Sequence, residues 1–159
     1  MNDKTGGRKL SPRFHGFLTL LLLLASLLIG LVAIALRAAL PAVLYALMIV
    51  LGLPTIVYLF CGKCVSRGEA CLMVWPGRLS LRLPPRKTDT YTKRDFVGIL
   101  AVLILLANFP QYWLWQTKPL FIVFWVLILA AHAEVNLFVC KACDNCRCPI
   151  HKRFHRKSR

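Results

Sequence analysis

Residues 17–36 read FLTLLLLLASLLIGLVAIAL, twenty residues without a charge. As an α-helix such a run is about 30 Å long, the thickness of the hydrocarbon core of a bilayer. It is too long for a signal peptide and lacks a small-x-small cleavage site. A second apolar run, residues 38–60, follows it after the single Arg37. Pro41 lies near the start of this second run, where a helix tolerates proline, and Pro54 lies inside it, where a kink is expected. Two more apolar runs follow at residues 96–116 and 120–139, separated by the turn Gln116-Thr117-Lys118-Pro119. Asp95 stands where it would cap the third.

The whole chain matches that pattern. Its 159 residues are 58% hydrophobic and 17% charged, yet the formal charge is +15, with a mean hydropathy of +0.62. High apolarity and high charge coexist only if they are segregated. The combination excludes a soluble enzyme core, a disordered basic tail and a secreted disulfide mini-domain. The fold class is therefore all-α: an integral membrane antiparallel four-helix bundle made of two helical hairpins, with a cytoplasmic Cys-rich layer. The organisation is a basic arm (1–13), a first transmembrane hairpin (14–60), a basic loop with the first cysteine group (61–95), a second hairpin (96–139) and a basic Cys-rich tail (140–159).

Arm, loop and tail carry 19 of the 21 basic residues, leaving Arg37 and Lys118 at the hairpin tips. The positive-inside rule places both termini and the loop in the cytoplasm of a multi-pass protein of the cell (inner) membrane. Anionic lipid headgroups, rather than nucleic acid, are the expected counter-charge. The alternation Arg78-Leu79-Ser80-Leu81-Arg82-Leu83 fits an extended segment on the membrane surface, leucines down and arginines toward phosphates, ended by Pro84-Pro85. A solvated basic loop fits it as well. Ser26 and Gly30 form one small-xxx-small pair for helix contact. Asn108 and Gln111 flank Pro110 and are expected to satisfy backbone groups that it frees. So much lipid-facing surface on thin helices also suits a homo-oligomer or a larger membrane complex.

All seven cysteines lie beside the ends of spans two and four: Cys61, Cys64 and Cys71, then Cys140, Cys143, Cys146 and Cys148. Cytosolic thiols stay reduced, which argues against a disulfide framework. Two C-x2-C pairs have the spacing of tetrahedral zinc or iron–sulfur ligands. The tail run C-x2-C-x2-C-x-C-P falls two residues short of the bacterial ferredoxin spacing, so zinc is the leading expectation and an iron–sulfur cluster the alternative. One shared site from Cys61, Cys64, Cys140 and Cys143 is one arrangement. The other is a site per group, with Cys71 completing the first and Cys146, Cys148 or His151 the second. Gly62 is expected to ease the turn of the first pair. Lys63, Arg67, Lys141 and Arg147 are expected to lower the thiol pKa values. Redox-active, acylated or inert thiols are the competing readings.

The signatures Cys61-x2-Cys64-x6-Cys71, with Gly68 ahead of the third cysteine, and Cys140-x2-Cys143-x4-Cys148-Pro149 resemble those of a group of small, uncharacterised prokaryotic membrane proteins. These also pair two apolar hairpins with C-x2-C motifs at cytoplasmic helix ends. On that pattern the metal set is Cys61, Cys64, Cys71, Cys140, Cys143 and Cys148, with Cys146 outside the motif. The resemblance brings no activity with it.

Within the spans, Glu134 is the only acidic residue. His132, Asn136 and Cys140 fall at i, i+4 and i+8, one helical stripe leading to the cysteines. A relay through His132 and Glu134 is one reading, and plain hydrogen bonding to neighbouring helices is the other. No phosphate-binding glycine loop, serine nucleophile or metalloprotease motif is present, which argues against an enzyme. A thiol oxidoreductase would need cysteines on the far side of the membrane. A soft-metal transporter would need sulfur ligands through the spans, where Met48 stands alone.

Overall fold

The computed structural model describes residues 11–64, 71–84 and 91–143, and among these every regular element is helical. Helix α1, Pro12–Ala35, begins more than a turn earlier than its apolar run. Ser11 stands at its N-cap in extended conformation, and Pro12 occupies the first turn, where a missing N–H costs nothing. Arg13 and His15 are therefore helical. Helix α2, Ala39–Ile56, runs through Pro54 and passes into a π-helical turn, Val57–Cys61. Helix α3, Val74–Arg82, lies in the loop. Helices α4, Lys93–Asn108, and α5, Gln111–Trp115, form one span interrupted at Pro110. Helix α6, Lys118–Glu134, likewise ends in a π-helical turn, Val135–Val139. Four helices are long and apolar enough to cross a bilayer: Pro12–Ala35, Ala39–Cys61, Lys93–Trp115 and Lys118–Val139.

Helix α3 overturns the expectation of an extended segment at residues 78–83. An isolated strand there would leave its N–H and C=O groups without partners beside an apolar surface, whereas a helix satisfies them locally. The cap of α4 also differs. Thr92, not Asp95, is the N-cap, and Asp95 is the third helical residue of a capping box. The Asp95 N–H donates to Thr92 Oγ1 (3.4 Å), and the Thr92 N–H donates to Asp95 Oδ2 (2.8 Å).

Helix α1 is the centre of the packing. It lies along α6 and also touches α2 and α5, while α4 packs on α2. The last two spans are thus divided between the first two. The buried residues of α1 are mostly small: Gly16, Thr19, Ser26, Gly30 and Ala33, with Ile34 the one large side chain. Thr19 and Ser26 donate their hydroxyls to the carbonyls of His15 and Leu23 within the same helix, so they can face a neighbour without an unpaired polar atom. Gly30 meets Pro110 and the Tyr45 hydroxyl, and Gly52 of α2 meets Val102 and Leu106 of α4. One core gathers Ile34, Ala42, Tyr45 and Leu106; a second gathers Ala33, Leu114 and Phe124. Most remaining leucines and valines of the spans point outward, an arrangement that suits lipid and not water.

Pro110 cannot donate to the carbonyl of Leu106, four residues earlier. That carbonyl instead accepts from the Tyr45 hydroxyl of α2, at 2.9 Å in a buried contact. The expected helpers act elsewhere: Asn108 donates to the Ile104 carbonyl and Gln111 to that of Ala107.

Candidate functional site at the cysteine end

Both π-helical turns lead into a C-x2-C pair, and both carry the order Val-x-Leu-Phe: Val57-Tyr58-Leu59-Phe60 ahead of Cys61, and Val135-Asn136-Leu137-Phe138 one residue further from Cys140. The bonds that define them span five residues, Gly62 N–H to the Val57 carbonyl (3.2 Å) and Cys140 N–H to the Val135 carbonyl (2.7 Å). The wider turn lies between Asn136 and Cys140, the last interval of the anticipated stripe. His132 is exposed, and Asn136 donates to its carbonyl.

The first pair closes through the Cys64 N–H and the Cys61 carbonyl (3.1 Å). Gly62 has ordinary helical angles, φ −61° and ψ −23°, so the turn makes no use of glycine's conformational freedom. Lys63, between the two cysteines, is buried and forms an ion pair with Asp95 at 2.5 Å; both side chains are 2% exposed. The same carboxylate oxygen accepts from the Thr92 hydroxyl (2.8 Å). Tyr91 donates to the Phe60 carbonyl (3.0 Å) and packs against its ring. The N-terminus of α4 is thereby fastened to the last turn of span two. The Lys63 ammonium thus has a carboxylate partner on α4.

One segment from each cysteine group reaches the first turns of α1. A Cβ added at Gly16 would collide with the Leu72 carbonyl, so the segment after Cys71 lies directly on the helix. One residue earlier, the His15 ring stacks on Phe138, centroids 4.2 Å apart and nearly parallel. His15 Nδ1 and Glu134 Oε2 share a 2.8 Å hydrogen bond. Beyond Phe138 the chain turns, the Ala142 N–H bonding the Phe138 carbonyl (3.3 Å), and reaches Cys143. Burial pushes the Cys71 thiol above its usual pKa. A hydrogen bond with the Met73 backbone works against that shift, and the neighbouring Cys143 adds to it. At Cys71 the expected lowering by surrounding cations is reversed.

Cys61, Cys64, Cys71, Cys140 and Cys143 are all partly exposed. Among the described residues no three His, Cys, Asp or Glu side chains cluster tightly enough to hold a metal ion. Cys146, Cys148 and His151 lie outside the described residues. The intramembrane acid found its partner on another helix: Glu134 pairs with His15, not with His132. His15 was legible only indirectly, as a titratable residue just ahead of the first apolar run.

Compared with known proteins, the chain matches no family model, no curated protein and no solved structure.

Proposed function

We propose that this is a multi-pass protein of the cell membrane whose cytoplasmic end is organised by a cysteine-ligated metal, zinc, that ties the loop and the tail to the bundle. The observation that carries the reading is that a segment from each cysteine group reaches the first turns of α1, Leu72 at Gly16 and Phe138 at His15. Thiolates from separate segments suit a structural site: four ligands, no open position and no chemistry on substrate. Cys71 and Cys143 would supply two ligands, and the others would come from Cys140, Cys146, Cys148 or His151. Cys61 and Cys64 would join them or hold a second ion. Bound zinc would stabilise negative thiolates against the cost of burial, and Lys141 would offset part of the remaining charge. The cytoplasmic assignment is supported by the distribution of basic residues.

Elemental analysis of protein purified anaerobically in detergent tests this directly. About one zinc per chain with no visible absorbance is the expected result, and C71S/C143S should lose it. Iron with broad visible absorbance would replace zinc by a redox cluster. Metal-free protein, or full metal content in the double variant, would overturn the reading.

A further inference from the structure

The outward face of α3 has no part in the cysteine chemistry. At helical spacing Trp75, Arg78, Leu79 and Arg82 share one side, at i, i+3, i+4 and i+7. Gly77 and Ser80 lie on the opposite side and are buried. The Ser80 hydroxyl is bonded back to the Gly77 carbonyl (2.6 Å), so the inner face presents nothing that needs water. That face sits on the Val57–Cys61 turn and touches α1. The helix therefore lies at the level where two spans end. Its outer face is open: Trp75 is 74% exposed and Leu79 39%, and both arginines are exposed.

We propose that α3 is an interfacial helix that docks the anionic phospholipid headgroups of the leaflet in which these spans end. The chemistry on the face is specific to that boundary. A tryptophan ring prefers the headgroup level, because its body is apolar and its N–H is polar. Leu79 reaches the upper acyl chains. Arg78 and Arg82 extend from the same side, where their guanidinium groups bind phosphate oxygens while their stems stay on apolar surface. No acidic residue lies in α3 to compete for them. A protein-binding face would bury its tryptophan at the centre of a dry patch, whereas here arginines flank it at the rim of the spans. This proposal is independent of the metal.

The test uses full-length protein in nanodiscs of mixed phosphatidylcholine and phosphatidylglycerol, with bromine on the acyl chains of one lipid at a time. The difference in fluorescence quenching between wild type and W75F isolates Trp75. Brominated phosphatidylglycerol should quench it more strongly than brominated phosphatidylcholine at equal content. At low salt each arginine contributes about fivefold to the preference. R78Q/R82Q should abolish the preference, R78K/R82K should keep much of it, and R37Q at the far tip should leave it intact. If R78Q/R82Q does not fold, loss of the preference in wild type with rising salt takes its place. Equal quenching by both lipids, a preference that survives R78Q/R82Q or high salt, or no quenching of Trp75 by either lipid would overturn the proposal. The last result is the one expected if a partner protein or water covers this face.

Discussion

The Tyr45 hydroxyl occupies the hydrogen-bonding position that Pro110 vacates on the carbonyl of Leu106. Tyr45 is in the second span and Leu106 in the third, so the defect of one helix becomes the attachment point of another. Gly30 of the first span closes the same place, its α-carbon facing both the proline ring and the tyrosine oxygen. Three spans are joined at one carbonyl.

Removing that hydroxyl leaves a buried acceptor unpaired. Y45F should destabilise the protein by about 1–2 kcal/mol. P110A restores a backbone N–H for the same carbonyl, so the cost of Y45F should shrink in the P110A background. Reversible unfolding in detergent of the four proteins of this cycle measures the coupling, and strict additivity would show that Tyr45 does not act on that carbonyl.

The Lys63–Asp95 pair is buried, and breaking it strands a carboxylate. K63M should cost about 3–5 kcal/mol. Adding D95N in that background should recover part of the loss, since the amide carries no charge and its oxygen can still accept from Thr92. Thermal unfolding gives the energies. Alkylation of Cys64 should quicken in K63M as the turn between the two cysteines loosens.

Gly16 holds the loop against α1 because it has no side chain. G16A should push residues 71–73 off the helix and raise the alkylation rate of Cys71, while G98A, near Leu59, should leave it unchanged. Mass-spectrometric footprinting resolves Cys71 from the other cysteines. Unchanged protection of Cys71 in G16A would mean that the contact at Leu72 does not hold the loop.

Cys71 reacts through its thiolate, and its raised pKa delays that form. Its alkylation should therefore require a higher pH than that of a thiol in a short peptide. C143S removes the neighbouring charge and should move the Cys71 profile back toward lower pH. The linkage has a definite sign in metal-free protein. Because the folded pKa lies above the unfolded one, the contribution of this thiol to stability is full below the ordinary thiol pKa. It declines as pH rises through the folded value. Unfolding midpoints measured across mildly alkaline pH should fall less steeply in C71S.

Much of the architecture was readable without coordinates. The four spans lie where uninterrupted apolar runs reach bilayer length, and the Pro110 break in the third span falls at the residue that lacks a donor. Those are local properties of the chain. The expectation for residues 78–83 failed because alternation over six residues fits a strand and also a short helix, and what separates them is whether the backbone finds a partner. The partner of Lys63 was not legible, because a lysine near two cysteines in sequence says nothing about a carboxylate 32 residues away.

The sequence alone determined which four segments are apolar and long enough to span a bilayer and where the cysteines fall, since hydrophobic length and charge segregation are written residue by residue. Tertiary structure alone decided that Tyr45 serves Leu106, that His15 meets Glu134, that Asp95 holds Lys63, and that Leu72 and Phe138, from the two cysteine-bearing segments, both reach the start of α1. Helices apolar on all sides carry no periodic signal to mark which face will turn inward. Their rotation and choice of neighbour are set by small residues, by a proline's missing N–H and by a few polar atoms that must find partners away from water.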